Sequence, residues 1–148
     1  MTTKNYQKYH SYNEAFSRIK RAIENEFYIE SICISESIIS DRLLSYFNGT
    51  GILEIKDEKY LHESKFSLNS LIQKTKSTPQ TSHLFSDLDC WRKKRNIFIH
   101  KIAKSLPGKP TIRINDFLVQ AKETAEQGHL LAREIDKFHK KMKKLEKN

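Results

Sequence analysis

Glycine and proline are scarce in this chain, with 4 Gly and 3 Pro among 148 residues. Both residues punctuate turns, so their scarcity means few turns and predicts that helices dominate. Cysteine is scarcer still. Cys33 and Cys90 both fall inside helical patterns and stand on no metal-ligand spacing, which marks them as free thiols in a reducing compartment. No apolar run approaches the roughly 18 residues that a bilayer-crossing helix needs, so a membrane partner is not expected. The N-terminal stretch MTTKNYQKYH has no apolar core of a secretory leader, and the expected location is cytoplasmic. No internal repeat is found. His10, His62, His83, His129 and His139 form no ligand set, so neither a bound metal nor another cofactor is expected.

What the chain has in quantity is charge. Apolar residues make up 37% and charged residues 30%, as in a soluble domain with a richly charged surface. The length suits one domain with a real core. Lys and Arg number 27 against 18 Asp and Glu, a formal net charge of +9. A surplus of that size favours a polyanionic partner such as nucleic acid and says nothing about fold. It concentrates at Arg92, Lys93 and Lys94 and in the C-terminal KFHKKMKKLEKN. The C-terminal run also suits the negative end of a helix dipole.

Periodicity predicts an all-α bundle of four to five helices in a single domain spanning 1–148. Residues 1–11 are polar and expected to be flexible. From Tyr12 a first helix carries Phe16, Ile19, Ile23 and Phe27, and a second carries Ile29, Ile32, Ile39, Leu43 and Phe47, stopped at Gly49. A long connector of unassigned structure occupies 49–66. Ser67 caps a short helix with Leu68, Leu71 and Ile72, and Pro79 follows it. Thr81 or Ser82 opens a fourth helix that ends near Ser105. TIRIN at 111–115 reads as extended, with Asn115 capping a long last helix. The stripe of that helix runs Phe117, Leu118, Ala121, Leu131, Ile135, Phe138, Met142 and Leu145, and Gly128 is its weak point.

Two charges interrupt these stripes. In the fourth helix, Leu84, Leu88, Trp91, Phe98 or Ile99, and Ile102 share a face with Arg95 near its centre. Asn96 and His100 stand four apart on one flank. In the second helix Glu36 lies at the centre of the stripe. An unpaired charge in such a place costs several kcal/mol, so Glu36 and Arg95 are each other's candidate partners. By periodicity alone such a pair is architectural first, fixing register.

The residue types say more than the spacing. L-x-x-W-x-x-x-R-N-x-x-x-H, here Leu88, Trp91, Arg95, Asn96 and His100, resembles the signature of the HEPN superfamily, in which an Arg, four to six intervening residues and a His mark the active site. Residues 12–140 follow a similar plan, with an early helix pair, a motif helix and a long last helix. The resemblance implies a HEPN-like fold acting as a symmetric dimer, with both motifs lining one basic cleft. It also implies metal-independent endoribonuclease activity in a toxin–antitoxin or anti-phage setting, with a possible cognate antitoxin or sensor protein.

The side chains suit that chemistry. His100 can transfer protons near neutral pH, and Arg95 can stabilise charge developing on a phosphorane. Asn96 can bond the phosphate or hold His100, and Glu36 can orient Arg95 from behind. Arg92, Lys93, Lys94, Lys101 and Lys104 are the candidate contacts to RNA phosphates. One histidine does not comfortably serve as both acid and base, and a homodimer supplies two. Tyr6, Tyr9 and Tyr12 could stack on bases, but packing is their more ordinary role. The rival expectation is a non-catalytic basic helical module that binds nucleic acid or a partner protein.

Overall fold

Helix formation begins ahead of the first apolar repeat. In the computed structural model, residues 3–54, 63, 66–76, 83–101, 107–108 and 113–146 are described, with backbone alone at 3–5, 101 and 146. The first helix, α1, spans Thr3–Glu24, so residues 3–11, expected to be flexible, form its opening turns. They are tied down from outside the helix: Lys8 Nζ lies 3.2 Å from an Asp41 carboxylate oxygen and the Tyr12 hydroxyl donates to the same side chain. Long-range polar contacts of this kind leave no trace in a local apolar pattern.

α1 ends in a tight reversal. The Phe27 amide donates to Ala22 O at 2.7 Å and the Glu26 amide to Ile23 O at 3.1 Å. That double bond pattern requires a left-handed residue, supplied by Glu26 at φ 63°. The reversal takes Phe27 off the helix, and both Phe27 and Ile29 are exposed rather than in the expected core stripes.

The second helix, α2, spans Tyr28–Thr50. Gly49 is still helical, and the stop falls at Gly51, which takes φ 79° and donates its amide to Asn48 O. The expected connector therefore starts two residues late, and 55–62, 64 and 65 lie outside the described residues. A short helix, α3, spans Leu68–Thr75 with Ser67 as its cap, the Ser67 side chain accepting from the Ser70 amide at 3.2 Å. The motif helix, α4, spans His83–Lys101, and the expected opening at Thr81 or Ser82 and end near Ser105 fall outside the description. The last helix, α5, spans Ile114–Glu146, 33 residues or about 50 Å. It starts one residue before the expected cap Asn115, and the Phe117 amide bonds to Arg113 O at 2.9 Å. Ile114 and Asn115 are thus helical rather than extended.

Among the described residues there are five helices and no strand, as expected of an all-α bundle. α5 lies along α2 as the largest contact, α1 closes one side of the pair, and α4 packs on α5. α3 sits against both α2 and α4. The shared core is Ile19, Ile32, Ile39, Leu43, Phe47, Leu71, Ile72, Leu88, Trp91 and Ile135. Each such side chain contributes about 1.5–3 kcal/mol by leaving water. Phe98 stacks on Phe117 at 4.3 Å between ring centres and joins the end of α4 to the start of α5. Phe98, not Ile99, is thereby the core member of its pair. Leu118 and Leu145, expected in the α5 stripe, are exposed.

Candidate functional site

Leu88 and Trp91 of the motif are fully buried, and they place the rest of it. The Trp91 indole packs against α5 at Gly128 and donates from Nε1 to Thr124 O at 2.9 Å. It fits because position 128 has no side chain: a Cβ there would stand 2.7 Å from Trp91 Cζ2. Gly128 is thus the socket that seats the motif helix, a role its low helix propensity did not reveal.

One turn on, Arg95 points into the gap between α4 and α2. Its Nη1 lies 3.0 Å from Glu36 Oε2, with the two side chains only 17% and 27% exposed. The expected pairing across 59 residues is present. Burial pushes the Glu36 carboxyl above its ordinary range, and the Arg95 charge partly restores it. The buried Nε of Arg95 hydrogen-bonds to no described residue. An orphaned donor costs about 1–3 kcal/mol, which a placement for stability alone would avoid.

Asn96 is half-buried and His100 exposed on the neighbouring flank. Among the described residues, none hydrogen-bonds to either side chain. Helix geometry separates His100 from Arg95 by about 7.5 Å along the axis and about 140° around it. Asn96 and His100 therefore share a flank bordered by exposed Ile97 and Ile99, while Arg95 faces α2.

The expected phosphate contacts fare unevenly. Arg92 is half-buried and turned back to Asp89, with Nε at 3.2 Å and Nη2 at 3.0 Å, so it is engaged rather than open to RNA. Lys93 is exposed and 3.5 Å from the same carboxylate, which Lys76 also approaches at 3.7 Å. Burial alone would raise the Asp89 carboxyl, but the Arg92 bond and the three cations outweigh it and hold it below the usual range. Lys94 is exposed. The Lys101 side chain and all of Lys104 lie outside the described residues.

A second polar cluster was missed. Arg42 Nε donates to Asp136 Oδ1 at 2.8 Å, its Nη1 stands 3.4 Å from His139 Nδ1, and its guanidinium covers the Tyr12 ring at 3.9 Å. Burial, then the Arg42, Lys143 and Lys8 charges, hold the His139 pKa down to about 4. Burial and the Asp41 bond carry the Tyr12 phenol well above its ordinary range. A signal existed: Ala132, Asp136 and His139 follow the four-then-three spacing of a buried stripe, so an acid and a histidine occupy core positions. Their partner lies 94 residues away and no local pattern names it.

Among the described residues, no three His, Cys, Asp or Glu side chains gather as a metal ligand set. Cys33 and Cys90 are free and exposed. No described helix is long and apolar enough to cross a membrane. Set against family models, curated proteins and solved structures, the chain gives no match.

Proposed function

We propose that this chain is a metal-independent endoribonuclease whose site is completed by two copies of α4. The observation that carries the reading is the Glu36–Arg95 pair. A guanidinium is gripped from behind by a carboxylate, in a helix that presents Asn96 and His100 outwards one and five residues later. The fixed fork of Arg95 suits the equatorial oxygens of a phosphorane, where charge develops during cleavage. The ribose 2′-hydroxyl attacks phosphorus and loses its proton to the His100 imidazole of one protomer. The second protomer's His100 gives a proton to the departing 5′-oxygen. The products are a 2′,3′-cyclic phosphate and a 5′-hydroxyl, and DNA, without the attacking hydroxyl, is spared.

A homodimer supports this reading because one α4 carries one such histidine, and exposed Ile97 and Ile99 flank it with surface suited to a second copy. The HEPN resemblance of Leu88, Trp91, Arg95, Asn96 and His100 is the ground for a toxin–antitoxin or anti-phage setting. It is likewise the ground for a cognate antitoxin or sensor. One observation favours a second reading, a non-catalytic helical module: no described residue holds His100 in place.

Labelled RNA incubated with the purified protein in EDTA decides between them. Cleavage with cyclic phosphate ends, lost in His100→Ala at unchanged melting temperature, is the expected result. Cleavage that requires magnesium, or full activity in His100→Ala, would overturn the assignment. RNA binding without cleavage would favour the second reading.

A further inference from the structure

The Arg42 cluster floors a cleft of about 490 Å³ between α1, α2 and the C-terminal half of α5. Five cations converge on it from three helices: Lys8, Arg42, Arg133, Lys140 and Lys143. Against them stand Asp136 in the wall and Asp41, bonded to Lys8 and Tyr12. The cleft therefore carries three positive charges in surplus, His139 counted neutral.

We propose that this cleft binds a small ligand bearing a chain of phosphates, its terminal phosphate on Arg42 and the rest along Lys8, Arg133, Lys140 and Lys143. The floor is built in advance. Arg42, 11% exposed, is fixed by Asp136 and His139 on one side and by the Tyr12 ring beneath, while its Nη2 hydrogen-bonds to no described residue. A guanidinium held in that way loses little freedom on meeting a phosphate. The lysines are the adaptable part. Lys8–Asp41 and Lys140–Asp136 are pairs with exposed ammonium groups, which contribute little and exchange readily for a stronger anion.

Size and depth argue for a small ligand over an RNA strand. The volume lies in the range of small-molecule sites. A terminal phosphate can reach the sunken guanidinium, whereas a phosphate within a strand carries a nucleoside on each side. Burial is the main cause of the low His139 pKa, and the Arg42, Lys143 and Lys8 charges lower it further. Arg95 and His100 stand on α4, outside this cleft, so the proposal and the ribonuclease reading can fail separately.

The test is a calorimetric titration of the full-length protein with inorganic tripolyphosphate near physiological salt, with His139 ring resonances followed by NMR. Saturable binding and a rise in the His139 pKa are expected. The double variant Arg133→Gln/Lys143→Gln should bind about tenfold more weakly per folded molecule, since two of the five cations are gone. Arg133 also covers the Phe16 ring at 4.5 Å and bonds to His129 at 3.0 Å, so the melting temperature is followed alongside. A parallel titration with adenosine triphosphate separates two sources of the same chemistry: tighter binding names a nucleoside polyphosphate, equal binding a bare phosphate chain. Absence of saturation, an unaffected double variant, or orthophosphate binding equally well would overturn the proposal. So would an RNA oligonucleotide without a terminal phosphate that binds in place of tripolyphosphate and loses affinity in the double variant.

Discussion

Arg95 combines an ion pair with a buried donor, Nε, that bonds to no described residue, and those two facts predict different things for its neighbours. Glu36→Gln keeps the volume and one acceptor but removes the charge that holds the guanidinium. Stability should fall by about 1–3 kcal/mol, the worth of a charged hydrogen bond, while cleavage per folded molecule falls further. Arg95→Ala should abolish cleavage and also strand Glu36. Melting temperatures and single-turnover rates on both variants check this; activity that merely tracks the folded fraction would make the pair architecture. His139 yields a prediction of another kind. Its folded pKa of about 4 lies below the ordinary 6.5, so between these values the unfolded chain binds the extra proton and stability rises with pH. Acidification from pH 7 through 4 should therefore cost on the order of 1–3 kcal/mol. Glu36, raised by burial, acts in the opposite sense, so the control is His139→Gln, whose denaturation midpoint should change less over that interval. An identical pH profile in the variant would show that His139 is not the titrating group.

The junction of α4 with α5 turns on one absent side chain. In Gly128→Ala the new methyl group would stand within van der Waals radii of Trp91, which is fully buried and has its Nε1 bonded to Thr124 O. Helix propensity favours alanine there by about 1 kcal/mol, and overpacking should outweigh it, with a net loss of up to roughly 2 kcal/mol. Urea denaturation measures it, and a more stable variant would mean that the indole moves at no cost. Glycine 128 also marks how much was legible in advance. Helix type and order were readable because the stripes of α2, α3 and α5 are strong. Arg95 could be paired with Glu36 because each stood alone as a charge in its stripe. Ends were read less well: Gly49 and Gly51 are equivalent in composition, and only the backbone shows that the second takes the left-handed turn. The opening turns of α1, held by Asp41, and the Arg42 cluster depend on partners distant in sequence, which periodicity does not encode.

At the scale of the whole molecule, the proposed chemistry asks for more than one chain holds. One protomer offers a single motif histidine, set about 7.5 Å along the axis from its arginine, and that histidine faces outwards between Ile97 and Ile99. A twofold axis near His100 would bring a second imidazole and a second guanidinium to the same phosphate and cover the two isoleucines. Stoichiometry then becomes a direct readout. Wild type is mixed with an equal amount of His100→Ala at fixed total concentration and allowed to exchange partners. If both histidines serve one site, only dimers of two wild-type chains cut, and the rate should fall to about a quarter of the unmixed value. Independent sites would leave about half, because each wild-type chain keeps its own activity whatever its partner. Dilution gives the companion measurement: activity per chain should drop as the dimer dissociates, in step with its mass by light scattering. A mixture that retains half the rate, with activity per chain constant on dilution, would place acid and base on one protomer and require a proton donor other than a second His100.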